Sequence, residues 1–236
     1  MNSWSIEDTL ALVHDRYGPE QRALAEPSLR ATQKRIGFAV FHTAQVLHHF
    51  NDSDANVLQG RDMRVMFDAD LSTQHFEAQY AMAAHAMAAV ENLHAVADLL
   101  ANAVFHSLRF ASLGTSLFLS ELDVNYANVL AEVRQQPLCG AIAGEMHALK
   151  SAPTFEYLEA LVEQSRRGAV VVAGVWFDWT GRDPETYRLK FPAFQHRSKA
   201  YLDRQVDPFL LDEGLRVQRT VQQTMRAVDV QLRRQA

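Results

Sequence analysis

The chain has 236 residues, of which 48% are hydrophobic and 22% are charged, a composition that excludes a disordered protein. Its formal net charge of -5 excludes a strongly basic surface and leaves only a local basic patch as a route to nucleic acid. The single cysteine, Cys139, excludes an internal disulfide, and no apolar run reaches the roughly 20 residues that a membrane-spanning helix needs. Because the amino terminus also lacks the pattern of a secretory signal, we expect a cytoplasmic protein without a membrane segment.

Two helices are predicted in the first quarter of the chain. The first spans about residues 6–17, because Ser5 supplies a capping hydroxyl and the glycine and proline at 18–19 stop propagation. The second begins near Pro27 and ends at the turn-forming segment 51–54. Apolar residues at helical spacing predict its buried face: Ile36, Val40, Ala44 and Leu47. Polar residues are predicted on its opposite side: His42, Gln45, His49 and Asp52.

The third predicted helix, at about 73–110, is the longest. Alanine, leucine, valine and methionine occupy most of its circumference, a pattern typical of a central helix that its neighbours cover. Proline then separates two helices predicted at 120–135 and 138–151, and a further helix follows at 154–167.

The carboxyl-terminal part of the chain has a different pattern. β-Branched and aromatic residues dominate 169–179 and 186–194, and the polar turn between them predicts an antiparallel hairpin. Apolar residues recur at helical spacing over 207–231, so we expect a last helix. The sequence thus predicts one mainly α domain over 1–236. It is a multi-helix bundle with a long central helix and a small antiparallel β-hairpin, inserted at about 169–196 before the C-terminal helix.

One polar stripe runs along the third helix. Glu91, His94, Asp98 and Asn102 are spaced by 3, 4 and 4 residues, which aligns them on one side of a helix. The stripe continues into aromatic and basic residues: Tyr80, Phe105 and Arg109. Because solvent-facing stripes rarely collect aromatic rings, we expect another helix or a second subunit to cover this one and to supply partners for its polar groups. The stripe therefore favours a homodimer formed through the long helix.

Glu91 and His94 also form an E-x-x-H pair, which occurs in carboxylate-bridged di-metal centres inside helical bundles. Such a centre needs a second pair and two further glutamates, because two cations require several carboxylates. The sequence offers two incomplete substitutes: Gln45 with His48, and Glu145 with His147. A hydrogen-bonded network in the core or at an interface is the favoured interpretation, and a divalent metal is the cofactor that the alternative implies.

His48 lies at the edge of the predicted apolar face of the second helix. From there it could meet Glu91 or Asp98 for acid–base chemistry or metal binding. The favoured alternative is a partly buried histidine satisfied by one carboxylate.

Three glutamates align along the helix at 154–167: Glu156, Glu159 and Glu163. Acidic pairs of this E-x-x-E kind bind magnesium in all-helical nucleotide pyrophosphatases. Glu163 lies three and four residues before Arg166 and Arg167, however, which is the spacing of ion pairs on a helix surface. Surface ion pairing is therefore the favoured interpretation.

Common catalytic motifs are missing from the sequence. It contains no G-x-S-x-G, no G-x-x-x-x-G-K phosphate loop and no paired cysteines for zinc. Cys139 lies near a predicted helix start, where the pKa of a thiol can fall, but a lone cysteine is more often a small core residue.

Three stretches carry a resemblance to a known family: 91–104, 161–171, and 189–194 followed by 206–213. In this order they resemble uncharacterised bacterial helical proteins that are distantly similar to the HEPN superfamily. Catalytic HEPN ribonucleases use an arginine and a histidine separated by four residues. No arginine here has a histidine five positions later, and Arg166, Arg167 and Gly168 stand where the relatives carry Lys-His-Arg. The resemblance therefore implies binding or interaction rather than RNA cleavage.

Three functional hypotheses follow. The leading one is a cytoplasmic interaction or ligand-binding protein that forms a homodimer, with a protein or a small molecule as its ligand. The second is a metal-dependent hydrolase or oxidase that uses four residues: Glu91, His94, Asp98 and His48. The third is a HEPN-like RNA-binding or toxin–antitoxin protein without the usual ribonuclease motif.

Overall fold

The structure, a computed structural model, describes residues 4–57, 69–110, 124–167, 169–177 and 187–234. In this part the chain is mainly helical, with a long central helix and a small antiparallel strand set before the C-terminal helix, which confirms the predicted fold class. Seven helices are present there: α1 (Ile6–Tyr17), α2 (Pro19–Val57), α3 (Ala69–Ser107), α4 (Tyr126–Gln135), α5 (Gly140–Ser151), α6 (Pro153–Arg167) and α7 (Val206–Arg234).

Helix α1 begins and ends where its capping residues require. The Ser5 hydroxyl accepts a hydrogen bond from the Asp8 backbone N–H at 3.4 Å, and this satisfies one of the free amides of the first turn. Gly18 follows the last helical residue with a φ of 89°, in the left-handed region that glycine adopts without strain. The predicted bounds of this helix are confirmed.

Helix α2 is 39 residues long and begins well before Pro27, which lies inside the helix. Proline lacks an N–H and interrupts one backbone hydrogen bond, but the flanking residues continue the helix through it. The predicted buried face is wrong for Val40 and Ala44, which are exposed. The buried positions are Ala25, Leu29, Thr32, Ile36, Ala39, Thr43 and Val46, which alternate by four and three residues.

Helix α3 is also 39 residues long, and it is confirmed as a mostly apolar helix. Its buried positions include Met82, Ala86, Ala89, Leu93, Val96, Leu100, Ala103 and Ser107, which again alternate by four and three residues. Such spacing places the buried residues in one continuous row, the seam of the helix, along its length.

Helices α4, α5 and α6 confirm the predicted succession, with later starts for α4 and α5. The predicted start of α4 at residue 120 lies outside the described residues, and α4 begins at Tyr126 behind the capping side chain of Asn125. At the end of α5, the guanidinium of Arg216 donates to the backbone oxygens of Ala148 and Leu149 at 3.3 and 3.1 Å. These bonds satisfy carbonyl groups that have no partner within the last turn of a helix.

The predicted hairpin is confirmed as β1 (Gly174–Phe177) paired antiparallel with β2 (Tyr187–Phe191), and its turn lies outside the described residues. Three further strands follow that were not predicted: β3 (Phe194–His196), β4 (Lys199–Tyr201) and β5 (Arg204–Gln205). Strand β5 joins the other edge of β2, while β3 and β4 pair with each other.

The chain divides into two compact units. Unit 1 contains Met1–Gly37, Ala95–Glu156 and Leu215–Ala236, and unit 2 contains Phe38–His94 and Tyr157–Gly214. Every boundary between the units falls inside a helix rather than in a linker. The single domain over 1–236 stays a prediction. No helix among the described residues is both long enough and apolar enough to cross a lipid bilayer.

Candidate functional site

The polar stripe of α3 is less covered than predicted. Glu91 is exposed and forms no hydrogen bond or ion pair with any residue that the structure describes. Tyr80, Asp98 and Arg109 are exposed as well, while His94 is half-buried and Phe105 is buried. The prediction that another helix of the same chain covers the stripe is therefore wrong for most of its residues. The buried residues of α3 lie on the opposite side of the helix.

Asp98 belongs to unit 1, whereas Glu91 and His94 belong to unit 2. The Asp98 Oδ1 atom accepts a hydrogen bond from the Tyr126 backbone N–H at 3.1 Å, at the first residue of α4. A carboxylate in this position satisfies a free amide and interacts favourably with the positive end of the helix dipole. Capping of α4 thus accounts for Asp98 without a catalytic role.

His48 is exposed, and its ring lies 5.6 Å from that of its neighbour His49. It forms no bond to Glu91, which has no partner among the described residues. Within the described ranges, no three histidine, cysteine, aspartate or glutamate side chains come together in a way that could hold a metal ion. The metal-dependent hypothesis therefore gains no support from the arrangement of its four candidate residues.

Three other histidines do come together, and we name His42, His49 and His85 the histidine cluster. The Nδ1 atoms of His42 and His85 are 2.9 Å apart, so one ring donates a hydrogen bond to the other. His49 stacks on His85 with ring centroids 5.7 Å apart and an interplanar angle of 15°. The cluster joins α2 to α3 within unit 2, and each of its rings is half-buried.

The hydrogen bond between His42 and His85 restricts their protonation. An imidazole nitrogen accepts only when it carries no proton, so a pair that is joined through two Nδ1 atoms cannot keep its bond when both rings are charged. Burial lowers the pKa of His85, and the neighbouring charges of His42 and His49 lower it further. The hydrogen bond therefore requires that at least one of these two rings is neutral.

Large aromatic side chains are also exposed on the two helices that carry the cluster. We name this set the exposed aromatic residues: Phe38 and Phe41 on α2, and Phe76 and Tyr80 on α3. The Phe41 ring is steeply inclined to the rings of His42 and His85, with centroid separations of 5.2 and 6.4 Å. Unit 2 thus presents aromatic side chains and half-buried imidazoles on the same pair of helices.

A second histidine site in unit 2 was not found from the sequence. The ring of His196 is 8% exposed, with Nε2 at 2.9 Å from the Glu163 Oε2 atom and Nδ1 at 3.3 Å from the Gln164 Oε1 atom. Arg197 also binds the Glu163 Oε2 atom, at 2.8 Å. Both ring nitrogens are engaged, so this group holds the β3–β4 hairpin on α6 and has no free atom for acid–base chemistry.

The sequence interpretation of Glu163 as an ion-pair partner of Arg166 and Arg167 is incomplete, because the charge of Arg167 acts on the carboxylate while two other residues bind it directly. In the structure its direct contacts are His196 and Arg197, from a hairpin about 30 residues away along the chain. Partial burial raises the pKa of Glu163, but the hydrogen bond from His196 and the charge of Arg197 outweigh it and hold the pKa below its usual value. The spacing of charges along the helix did not predict these contacts, because residues from a distant segment of the chain bind the same carboxylate.

Unit 1 contains a buried carboxylate with a hydroxyl partner. The Asp229 Oδ1 atom accepts a hydrogen bond from the Thr9 hydroxyl at 2.6 Å, and the Trp4 indole N–H donates to that hydroxyl at 2.8 Å. Burial raises the pKa of Asp229 to about 6, although the bond from Thr9 and the charge of Arg233 oppose the shift.

Cys139 precedes α5 and is buried. Burial raises the pKa of its thiol, so the thiolate needed for nucleophilic attack is disfavoured. The interpretation of Cys139 as a small core residue is confirmed.

The chain matches no protein-family model, no curated protein and no solved structure. The HEPN resemblance accordingly stays a prediction.

Proposed function

We propose that the protein is an interaction protein that forms a homodimer through α2 and α3 of unit 2. The observation that carries this proposal is the exposure of four large aromatic side chains on these helices. The exposed fractions are 52% for Phe38, 53% for Phe41, 68% for Phe76 and 80% for Tyr80.

Exposed aromatic side chains on paired helices are typical of protein–protein contacts. Each aromatic residue buries about 150–250 Å² when fully covered, and apolar area removed from water is worth about 25 cal/mol per Å². Aromatic residues are also the most frequent anchors of protein interfaces. Exposed alanines on the same helices, Ala44 and Ala84, leave room for the close approach of another helix.

A second copy of the chain is the partner that these helices fit best. In a two-fold dimer every contact between two different residues occurs twice, because each copy contributes both residues to the interface. Glu91 on α3 offers an exposed carboxylate without a partner in the described part, which a group of a second copy can pair.

Sedimentation velocity at micromolar concentration tests this proposal. We expect the wild-type protein to sediment with twice the mass of one chain, and Tyr80→Ser and Phe41→Ser to shift it toward the monomer. The matched control is Leu202→Ser, because Leu202 is 81% exposed but lies between β4 and β5. A monomeric wild type, or equal effects of Tyr80→Ser and Leu202→Ser, would contradict the proposal.

A further inference from the structure

The Nδ1 atoms of His42 and His85 lie opposite each other where α2 meets α3. The two atoms are 2.9 Å apart, and the planes of the two rings are inclined by 33°. An imidazole nitrogen uses the same lone pair to accept a proton or to bind a metal ion. This histidine pair therefore offers two metal-binding atoms that converge on one point.

The spacing of the two nitrogens is close to that of two imidazoles bound to one zinc ion. Zinc binds imidazole nitrogen at about 2.0–2.1 Å in tetrahedral geometry, which places two nitrogens about 3.3 Å apart. Admitting the ion between the two Nδ1 atoms therefore needs a separation only about 0.4 Å larger than the present one. Both residues are half-buried, so their side chains have room for a shift of this size.

A neighbouring ring holds one member of the pair in place. His49 stacks on His85 with ring centroids 5.7 Å apart and an interplanar angle of 15°. A ligand that is already held in one orientation loses less side-chain entropy when it binds a metal ion. The stacking of His49 thus favours metal binding through the Nδ1 atom of His85.

The histidine pair of one chain is an incomplete metal site. In the part of the chain that the structure describes, no third histidine, cysteine, aspartate or glutamate joins the pair in a way that could hold a metal ion. A structural zinc site has four protein ligands. Two-fold symmetry doubles the ligands of one chain, so an axis that passes beside the pair brings four imidazoles together, two from each copy.

We propose that His42 and His85 bind a zinc ion that is shared by two copies of the chain, with each copy supplying both Nδ1 atoms. The site rests on the homodimer of the proposed function, because a second copy completes the coordination. It names the ion that joins the two surfaces. Imidazole nitrogen favours zinc over magnesium and calcium, which take oxygen ligands. To bind, the ring that now donates the hydrogen bond carries its proton on Nε2 instead of Nδ1.

Equilibrium dialysis against zinc, with sedimentation velocity on the same samples, tests the site. We expect the wild type to bind one zinc ion per two chains, and a chelator to weaken its dimerisation about tenfold or more. Cobalt(II) in place of zinc should give the visible absorption of a tetrahedral ion. These measurements use the wild-type chain, so they do not depend on the folding of a variant.

Single substitutions assign the ligands. His42→Gln and His85→Gln remove one nitrogen ligand each while keeping a polar side chain, so each should lower the affinity for zinc about 100-fold. His14→Gln is the matched control, because His14 is an exposed histidine of α1 in unit 1, and it should bind zinc as the wild type does.

Two results would overturn the shared zinc site. One is zinc binding that is absent, or that is unchanged in both His42→Gln and His85→Gln. The other is one zinc ion per chain, since a single copy would then complete the site. A dimer that binds no zinc would overturn the site and leave the proposed homodimer standing, whereas a monomer at every zinc concentration would overturn the homodimer itself.

Discussion

Two histidine sites in unit 2 differ in what surrounds the imidazole. His85 contacts two other histidines, whereas His196 is held by the carboxylate of Glu163 and the amide oxygen of Gln164. The charges of the neighbouring imidazoles disfavour the protonated form of His85, whereas His196 meets oxygen acceptors. The partners of an imidazole, rather than the residue type, therefore determine what it contributes at each site.

The largest effect is expected from Glu163→Gln, which removes the negative charge next to His196. Hydrogen bonds to charged groups are worth about 1.5–3 kcal/mol, and both His196 and Arg197 lose a charged acceptor, so the free energy of unfolding should fall by about 2 kcal/mol. Denaturant unfolding near neutral pH measures it. Glu145→Gln, in a half-buried position on α5, is the control with an expected change of a few tenths of a kcal/mol. Equal effects of the two variants would show that the His196 site contributes nothing specific.

Asp229→Asn tests a buried carboxylate that, unlike Glu163, is bound by a hydroxyl rather than by a cationic side chain. The amide keeps an oxygen that accepts from Thr9, so the variant should be more stable than the wild type by about 1 kcal/mol at about pH 8. The folded-state pKa of about 6 is raised, so the wild type is at its most stable in acid and loses stability as the pH rises toward 6. The advantage of the variant should therefore vanish at about pH 4.

Unfolding curves at these two pH values check the sign of the Asp229 effect. A gain in stability that is the same at both would show that ionisation of Asp229 is not its cause.

The smallest effect is expected from Asp98→Ala, which removes the carboxylate that caps α4. Loss of a helix cap costs about 0.5–1 kcal/mol, and salt should reduce the difference because part of it comes from the helix dipole. Chemical denaturation at low and high salt measures both quantities. A loss well above 2 kcal/mol would mean that Asp98 has a role beyond the cap.

The sequence predicted those elements that local chemistry determines. The Ser5 and Gly18 caps placed α1, and the run of apolar residues placed α3. The strand pattern also gave the β1–β2 hairpin. In each case one short stretch of chain contains the whole signal.

The errors arose where partners far apart in sequence decide the outcome. The apolar residues Val40 and Ala44 suggested a buried face, but the seam of α2 runs through Ala39, Thr43 and Val46. The turn between β3 and β4 uses Arg197 and Ser198 at positive φ rather than the glycine or asparagine that marks such turns.

For the same reason, the sequence predicted only part of the candidate site. His42 and His49 shared a predicted polar side of α2, but His85 lies among alanines on α3 without a motif around it. Its contact with His42 depends on how α2 and α3 pack together in unit 2. The spacing of residues along a single helix carries no information about that packing.

Amide hydrogen exchange at low and high protein concentration tests the proposed dimer surface most directly, because it reports which segments become protected when the chain associates. We predict that peptides covering 38–50 and 76–91 gain protection at the higher concentration, while peptides covering α5 and β4 do not. Protection that does not depend on concentration, or that rises elsewhere but not in these two segments, would contradict the assignment of α2 and α3 as the interaction surface.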